Sequence, residues 1–178
     1  MDTLFDAAFA FTVGEEGGYS TDPADPGNWT GGAVGRGVLK GTRWGISAAA
    51  HPGLDIATLT LAAARAIYRA AYWAPIGADG LPAPLALASF DAAVNAGPAR
   101  AAIWLQEALG VAADGIVGPQ TQAAARAAVA SGAAAAAAVL SETIARRLLF
   151  LAGLPDWPRF GLGWTRRCLA LQARALTL

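Results

Sequence analysis

From Thr60 onward the chain consists of alanine-rich stretches cut apart by proline and glycine, which leaves it little to fold into except a set of helices. Alanine is the strongest helix former, while an interior proline removes a hydrogen bond and clashes with the preceding turn. Thr60 to Tyr72 reads as one helix, with Leu61, Ala64, Tyr68 and Ala71 on a stripe and Pro75 ending it. Pro82-Ala83-Pro84 punctuates, and a second helix runs to Asn95. Gly97-Pro98 is a stop followed by a start, since glycine favours the position after a helix and proline its first turn. Pro98 to Leu109 follows, with Ala102, Leu105 and Leu109 inward, and Gly110 closes it. Asp114-Gly115 through Gly118-Pro119 forms a loop before the next helix, and Ser131-Gly132 breaks that helix from a longer one over Ala133 to Leu151. Asp156 to Gly163 reads as a loop carrying Trp157, Arg159 and Phe160, with a last helix from near Trp164. No tandem repeat, heptad run or sustained strand pattern interrupts this.

The first 47 residues are different in kind. Thr3 and Asp6 form a capping-box pattern, and Phe5, Phe9, Thr12, Val13 and Glu16 recur at helical spacing. Gly17 and Gly18 are the expected stop. A helix running that far turns Glu16 toward the same side as Phe9 and leaves Glu15 about 100° away, facing water. A carboxyl set against apolar surface at the negative end of a helix is harder to ionise, as a general acid requires. A buried ion pair would place Glu16 in the same way. Beyond it come Asp22-Pro23-Ala24-Asp25-Pro26-Gly27, a glycine-rich loop, and Thr42-Arg43-Trp44-Gly45-Ile46-Ser47. A short hairpin is expected between Tyr19 and Ile46, with Gly37 to Gly41 in its turn.

Composition narrows the chemistry. At 178 residues the chain is long enough for one compact domain or two small lobes. A formal charge of zero gives no reason to expect a nucleic-acid partner. The single cysteine, Cys168, excludes an intramolecular disulfide and reads as a buried thiol in a helix. One histidine, His51, cannot supply the two or three imidazoles of a zinc hydrolase, so no metal and no cofactor is expected. Pairing His51 with Cys168 as a peptidase dyad would join a Pro-Gly turn to a helical thiol. Carboxylate chemistry remains, and glycoside hydrolysis runs on carboxylates alone. The start has no basic region followed by an apolar run, and Ala123 to Leu140 is too weakly apolar to span a bilayer. A chain made in the cytoplasm without stable membrane insertion is the expectation.

These motifs resemble the glycoside hydrolase 108 N-acetylmuramidases, lysozyme-like endolysins of phages and prophages. The pattern His-Glu-Gly-Gly-Tyr, Asp-Pro-x-Asp-Pro-Gly-Gly, Thr-x-Tyr-Gly-Ile-Ser is matched by Glu15 to Tyr19, Asp22 to Asn28 and Thr42 to Ser47. The resemblance continues through Tyr72-Trp73, Asp91 to Pro98, Leu105-Gln106 and Gly163 to Arg167, nearly the whole chain. Two departures stand out: Glu15 occupies the usual histidine position, and about Trp29 to Gly41 is inserted. The insertion makes Thr30 and Thr42 alternatives for the catalytic threonine, Thr42 having the better context. From Leu105-Gln106 to Thr121 the chain also resembles peptidoglycan-binding modules.

The resemblance implies a mainly α, lysozyme-like fold with a small β-hairpin beside the catalytic helix and a helical C-terminal lobe. It divides the chain into a catalytic part, 1–96, and a peptidoglycan-binding-like part, 97–178. It implies cleavage of the β-1,4 bond between N-acetylmuramic acid and N-acetylglucosamine in bacterial peptidoglycan, with Glu16 as acid and Asp25 and Thr42 holding the water; Asp22 is the fallback carboxylate. The order of Glu16, Asp25 and threonine is close to that of the phage-T4-type lysozymes. Tyr19, Trp44, Tyr72 and Trp73 are candidates to stack on sugar, and Asp91 and Asn95 to hydrogen-bond it. Tyr72-Trp73 as core aromatics, and Asp91 and Asn95 as a staple between helices, are the structural alternatives. Arg166 and Arg167 face either anionic stem peptides or solvent. A monomer acting on the periplasmic wall, released with the help of a holin, completes what the resemblance implies. A lytic transglycosylase using Glu16 alone and a non-catalytic wall-binding module are the rival classes.

Overall fold

A computed structural model describes residues 3–14 and 18–178, so Glu15, Glu16 and Gly17 lie outside the described residues. The described chain is mainly helical, with seven α-helices and one two-stranded antiparallel sheet. No helix among the described residues is long and apolar enough to cross a membrane. The chain falls into two compact units, Phe9–Tyr68 and a second made of Met1–Ala8 with Arg69–Leu178.

Helix α1 (Leu4–Thr12) opens with the expected capping box. The Thr3 amide donates to Asp6 Oδ2 at 2.9 Å and the Asp6 amide to Thr3 Oγ1 at 3.2 Å, so two orphan donors of the first turn are satisfied reciprocally. The expected stop is corrected. α1 ends at Thr12, and Gly14 (φ +83°) closes it by donating to the Ala10 carbonyl. The assignment of Glu16 to the core side and Glu15 to water lies outside the described residues.

Phe9–Tyr68 is mostly loop. Strands β1 (Thr42–Arg43) and β2 (Ile46–Ser47) pair Thr42 with Ser47 and Arg43 with Ile46. The turn is thus Trp44-Gly45 rather than Gly37 to Gly41. Both central residues have positive φ, +54° and +73°, the pattern that matches strand twist in a two-residue hairpin. The inserted glycines serve a separate ribbon held by a Trp29–Leu39 bridge, where the Thr30 amide donates to the Val38 carbonyl and the Gly31 amide to that of Arg36. A Cβ at Gly37 would lie 2.3 Å from Thr30 Oγ1. Helix α2 (Leu61–Tyr68) ends this unit, and Tyr68 meets Phe9 edge-on at 5.4 Å.

In the other unit Arg69–Trp73 forms a π-turn, and then α3 (Ala83–Ala96), α4 (Pro98–Leu109), α5 (Pro119–Ala130), α6 (Ala133–Ala152) and α7 (Trp157–Ala175) follow. α3 is buried along most of its length and packs on α4, α6 and α7. Phe5, Trp73 and Phe90 meet edge-to-face, with centroids 5.3 to 5.8 Å apart. The segment read as a loop over Asp156 to Gly163 is instead the start of α7. Pro158 sits in the first turn, where its missing N–H costs nothing, and Gly161 admits the Trp157 ring, which a Cβ would meet at 2.7 Å.

The centre of this unit is ionic. Asp91 is fully buried, with Oδ2 accepting from Arg147 Nη1 at 2.6 Å and Oδ1 accepting from Arg167 Nη2. Arg147 is itself 4% exposed. Removing one partner of such a cluster strands the opposite charge in low dielectric, at about 3–5 kcal/mol. Asp91→Asn is expected to lower unfolding free energy by about 3 kcal/mol in urea titration; a change under about 1 kcal/mol would mean the cluster is solvated.

Candidate functional site

Two aspartates begin the loop, and each folds back on its own backbone. Asp22 Oδ1 accepts from the Ala24 amide at 2.9 Å, and Asp25 Oδ1 caps the 3₁₀ turn Pro26–Asn28 by accepting from the Gly27 amide at 2.8 Å. Pro26 suits the first turn position after that cap. Both carboxylates are exposed. The Trp29 indole donates to the Pro23 carbonyl at 2.9 Å and closes the turn from outside.

Asn28 ties this turn to the next segment. Completely buried, it donates from Nδ2 to the Asp22 carbonyl at 3.0 Å, and its backbone carbonyl accepts from both Lys40 and Gly41 at 3.0 Å. Its own amide donates to the Asp25 carbonyl at 3.1 Å. One residue therefore holds Asp22, Asp25 and the entry to β1 in register. Asn28 stands where the resembling motif has its second glycine, and sequence reasoning did not assign it a role. The available signal was a polar residue replacing glycine inside a turn.

Thr42 is set by backbone pairing on both sides. Its amide donates to the Ser20 carbonyl at 2.8 Å and its carbonyl accepts from the Ser20 amide at 2.9 Å, while β2 pairs on the other side. Its hydroxyl has no protein partner among the described residues. Thr30, the alternative, has its Oγ1 occupied by the Val38 amide at 2.9 Å. An ideal Cβ on Gly27 would lie 3.1 Å from Asp25 Oδ1 and 3.7 Å from Ser47 Cβ, and Ser47 is the ladder partner of Thr42. Asp25 and Thr42 are thus linked through Gly27 and Ser47.

The expected aromatics of this unit lie on the same framework. Tyr19 is 44% exposed, and its hydroxyl donates to the Lys40 carbonyl at 3.0 Å. Trp44 holds a left-handed backbone that bulky side chains rarely adopt, and its carbonyl accepts from the Tyr68 hydroxyl at 3.0 Å.

Of the candidates in the other unit, Trp73 is in the core. It is 1% exposed, contacts Phe5 and Phe90, and donates to Asp79 Oδ1 at 2.8 Å, leaving no ring face for a sugar in this structure. Tyr72 beside it is half-buried. Asp91 is enclosed by the two arginines, and exposed Asn95 donates to the Asp91 carbonyl at 2.7 Å. Arg147 was missed, although it falls on the stripe of Leu140, Thr143 and Ile144, where a charge must be buried and paired. Glu16 lies outside the described residues.

Gln106 organises the Asp114 loop. Its amide nitrogen donates to Asp114 Oδ1 at 2.7 Å, the Ile116 carbonyl at 3.0 Å and Thr121 Oγ1 at 3.1 Å, and its oxygen accepts from the Gly115 amide at 2.9 Å. The Ile116 amide and then Gln106 hold the Asp114 carboxyl below its usual pKa.

Residues 9–97 match the sequence model of Glycosyl hydrolase 108. A solved structure, SagA of Brucella abortus, is 35% identical and superposes with a TM-score of 0.76, covering 97% of this chain and 94% of that one. The chain belongs to the glycosyl hydrolase 108 family. As a member it is a glycoside hydrolase with the expected lysozyme-like fold. Residues 100–169 match a second model, described as a predicted peptidoglycan domain, and together the two matches make it a peptidoglycan hydrolase. No curated protein matches the chain. The family model spans the Asp22 to Asn28 turn and the Thr42 to Ser47 hairpin together, the two segments that Asn28 joins.

The hairpin turn offers a direct test. A Cβ at Gly45 would lie 2.5 Å from the Tyr68 hydroxyl, at a φ of +73°. Gly45→Ala is expected to lose about 2 kcal/mol of stability, from the backbone strain and the displaced Tyr68, and to lose peptidoglycan hydrolysis with it. Wild-type melting and turnover for this variant would show the turn to be unimportant.

Proposed function

We infer that this glycosyl hydrolase 108 member cleaves the β-1,4 bond between N-acetylmuramic acid and N-acetylglucosamine with inversion. Glu16, protonated, gives its proton to the glycosidic oxygen as the bond to the anomeric carbon breaks. Water attacks that carbon from the opposite face and loses a proton to Asp25, while the Thr42 hydroxyl orients it. Tyr19 and Trp44 hold the sugar. The part over 1–96 cuts and that over 97–178 holds the wall. A chain made in the cytoplasm would reach its periplasmic substrate through a membrane-opening partner such as a holin.

The observation that carries the reading is the family match over residues 9–97, the stretch in which Glu16, Asp25 and Thr42 fall. The local geometry supports it. The Asp25 cap uses Oδ1 and leaves Oδ2 without a protein partner among the described residues, and Thr42 keeps its hydroxyl where Thr30 does not. Asp25 rather than Asp22 also lies beside Gly27 and Ser47, the contacts leading to Thr42.

Digestion of purified Gram-negative peptidoglycan by wild type, Glu15→Gln, Glu16→Gln, Thr30→Val and Thr42→Val, with mass spectrometry of the products, tests it. Wild type should release reducing muramic ends. Glu16→Gln should lose about 10²–10⁴-fold in rate while Glu15→Gln stays active, and Thr42→Val should lose more than Thr30→Val. Anhydro-muramic ends would assign a lytic transglycosylase. Binding without cleavage by wild type would assign a wall-binding module, and full activity in Glu16→Gln would remove the acid from the scheme.

A further inference from the structure

The first half of α7 presents an outer surface that packing within the helical unit does not explain. Gly161 is accounted for, since it lets the Trp157 ring lie across the helix. Gly163 is not: it is exposed, and no described atom lies within 4 Å of the place its Cβ would take. A glycine inside a helix is destabilising relative to alanine, and it belongs where something must come close to the backbone. Residues three and four apart on a helix are neighbours, so Gly163 is flanked by Arg159, Phe160 and Arg166. Phe160 is 42% exposed and meets Trp164 at 5.9 Å, and Trp164 meets Trp157 at 6.1 Å, so three rings form one cluster. Neither indole N–H donates to a described residue. Arg159 stacks 4.9 Å from the Phe160 centroid. Arg159 and Arg166 are both exposed, and neither enters an ion pair among the described residues. α7 carries four arginines and no acidic residue.

A bare stretch of helix, edged by an aromatic ring on one side and unpaired guanidinium groups on the other, suits a flat ligand with an apolar face and negative charge. The positively polarised C–H face of a pyranose settles on an aromatic ring, whose own faces are negative. An unpaired guanidinium takes a carboxylate through two parallel hydrogen bonds. Peptidoglycan offers both at every repeat, as hexosamine rings and a stem peptide with several carboxylates. An uncharged glycan has only the first, and a phospholipid surface only the charge. We propose that the outer face of α7 at Gly163 grips a peptidoglycan strand, with a hexosamine ring over Gly163 against Phe160 and stem-peptide carboxylates on Arg159 and Arg166. The inference rests on peptidoglycan being the substrate and deepens that reading: the strand is held by residues that take no part in breaking the bond. Position in the chain agrees, because Arg159, Phe160, Gly163 and Arg166 fall within the matched peptidoglycan domain, residues 100–169.

Gly163→Gln separates docking from a structural role, because a long helix-forming side chain at an exposed glycine should hold or raise the melting temperature while covering the site. Co-sedimentation of the full chain with purified Gram-negative sacculi, in the cold to slow digestion, measures binding. Gly163→Gln and the double variant Arg159→Gln/Arg166→Gln should each bind about tenfold more weakly, and the double variant should lose much of the salt dependence. In digestion of sacculi, KM should rise for both with kcat unchanged. Wild-type binding by either folded variant would overturn the proposal; the double variant, whose changes are both exposed, decides it if Gly163→Gln melts early. Wild-type protein that binds phosphatidylglycerol vesicles and not sacculi would give the face to a membrane surface instead. Sacculi bound and digested alike by wild type and variants remove the role of this face alone. Sacculi neither bound nor digested by wild type remove the hydrolase reading with it.

Discussion

Asn28 is the residue on which the loop unit depends. A stretch with two-residue strands cannot hold two side chains in register by ladder pairing alone, because such short strands contribute few hydrogen bonds. Asn28 supplies what the strands lack. From one buried position it takes the Asp22 carbonyl on its side chain, the Asp25 carbonyl on its amide, and the amides of Lys40 and Gly41 on its carbonyl. The turn that carries Asp25 and the strand that carries Thr42 are therefore one object. The insertion between them, Trp29 to Gly41, is tolerated because it closes on itself through the Trp29–Leu39 bridge and enters and leaves beside Asn28. Lengthening a loop whose ends are already pinned changes closure entropy little.

The helical unit solves a different problem. Alanine-rich helices approach closely but bury little apolar area per residue, so specificity must come from a few large or charged groups. Phe5, Trp73 and Phe90 supply the first kind, edge to face, and Asp91 with Arg147 and Arg167 the second. A buried carboxylate that accepts from α6 and α7 while riding on α3 fixes three helices at once. The geometry of Asp91 is that of the staple between helices.

Helix boundaries were readable where a single local rule decides them. The Thr3–Asp6 capping box and the stops and starts at Gly97-Pro98, Gly110 and Ser131-Gly132 appear where local chemistry put them. The misreadings share one cause, glycine. Asp156 to Gly163 reads as a loop, yet Gly161 within it is a helical residue that admits Trp157. Gly37 to Gly41 reads as the hairpin turn, yet the residues between the paired strands are Trp44 and Gly45, where the Tyr68 hydroxyl caps the Trp44 carbonyl. The stop of α1 came early, at Gly14 rather than Gly17. Glycine can mean a turn, a close approach or a helix end, and only the neighbours in space distinguish them. Arg147 is illegible for the related reason that its partner Asp91 is far along the chain, although it at least lies on a visibly apolar stripe. The partners of Asn28 are near in sequence, but no local turn rule marks it as the buried link between them.

The central claim is that Asp25 and Thr42, held together through Asn28 and the hairpin, present a water rather than a nucleophile to the sugar. That requires a wide gap between the two carboxyls, about 6.5–9.5 Å, and it has a stereochemical signature. Proton NMR of the anomeric signal in the first minutes of digestion, before mutarotation, reads that signature directly. The account predicts that the new reducing muramic end appears first as the α-anomer from the β-linked substrate. First appearance of the β-anomer would mean a covalent intermediate or equivalent retention, and would contradict the role given to Asp25 and Thr42.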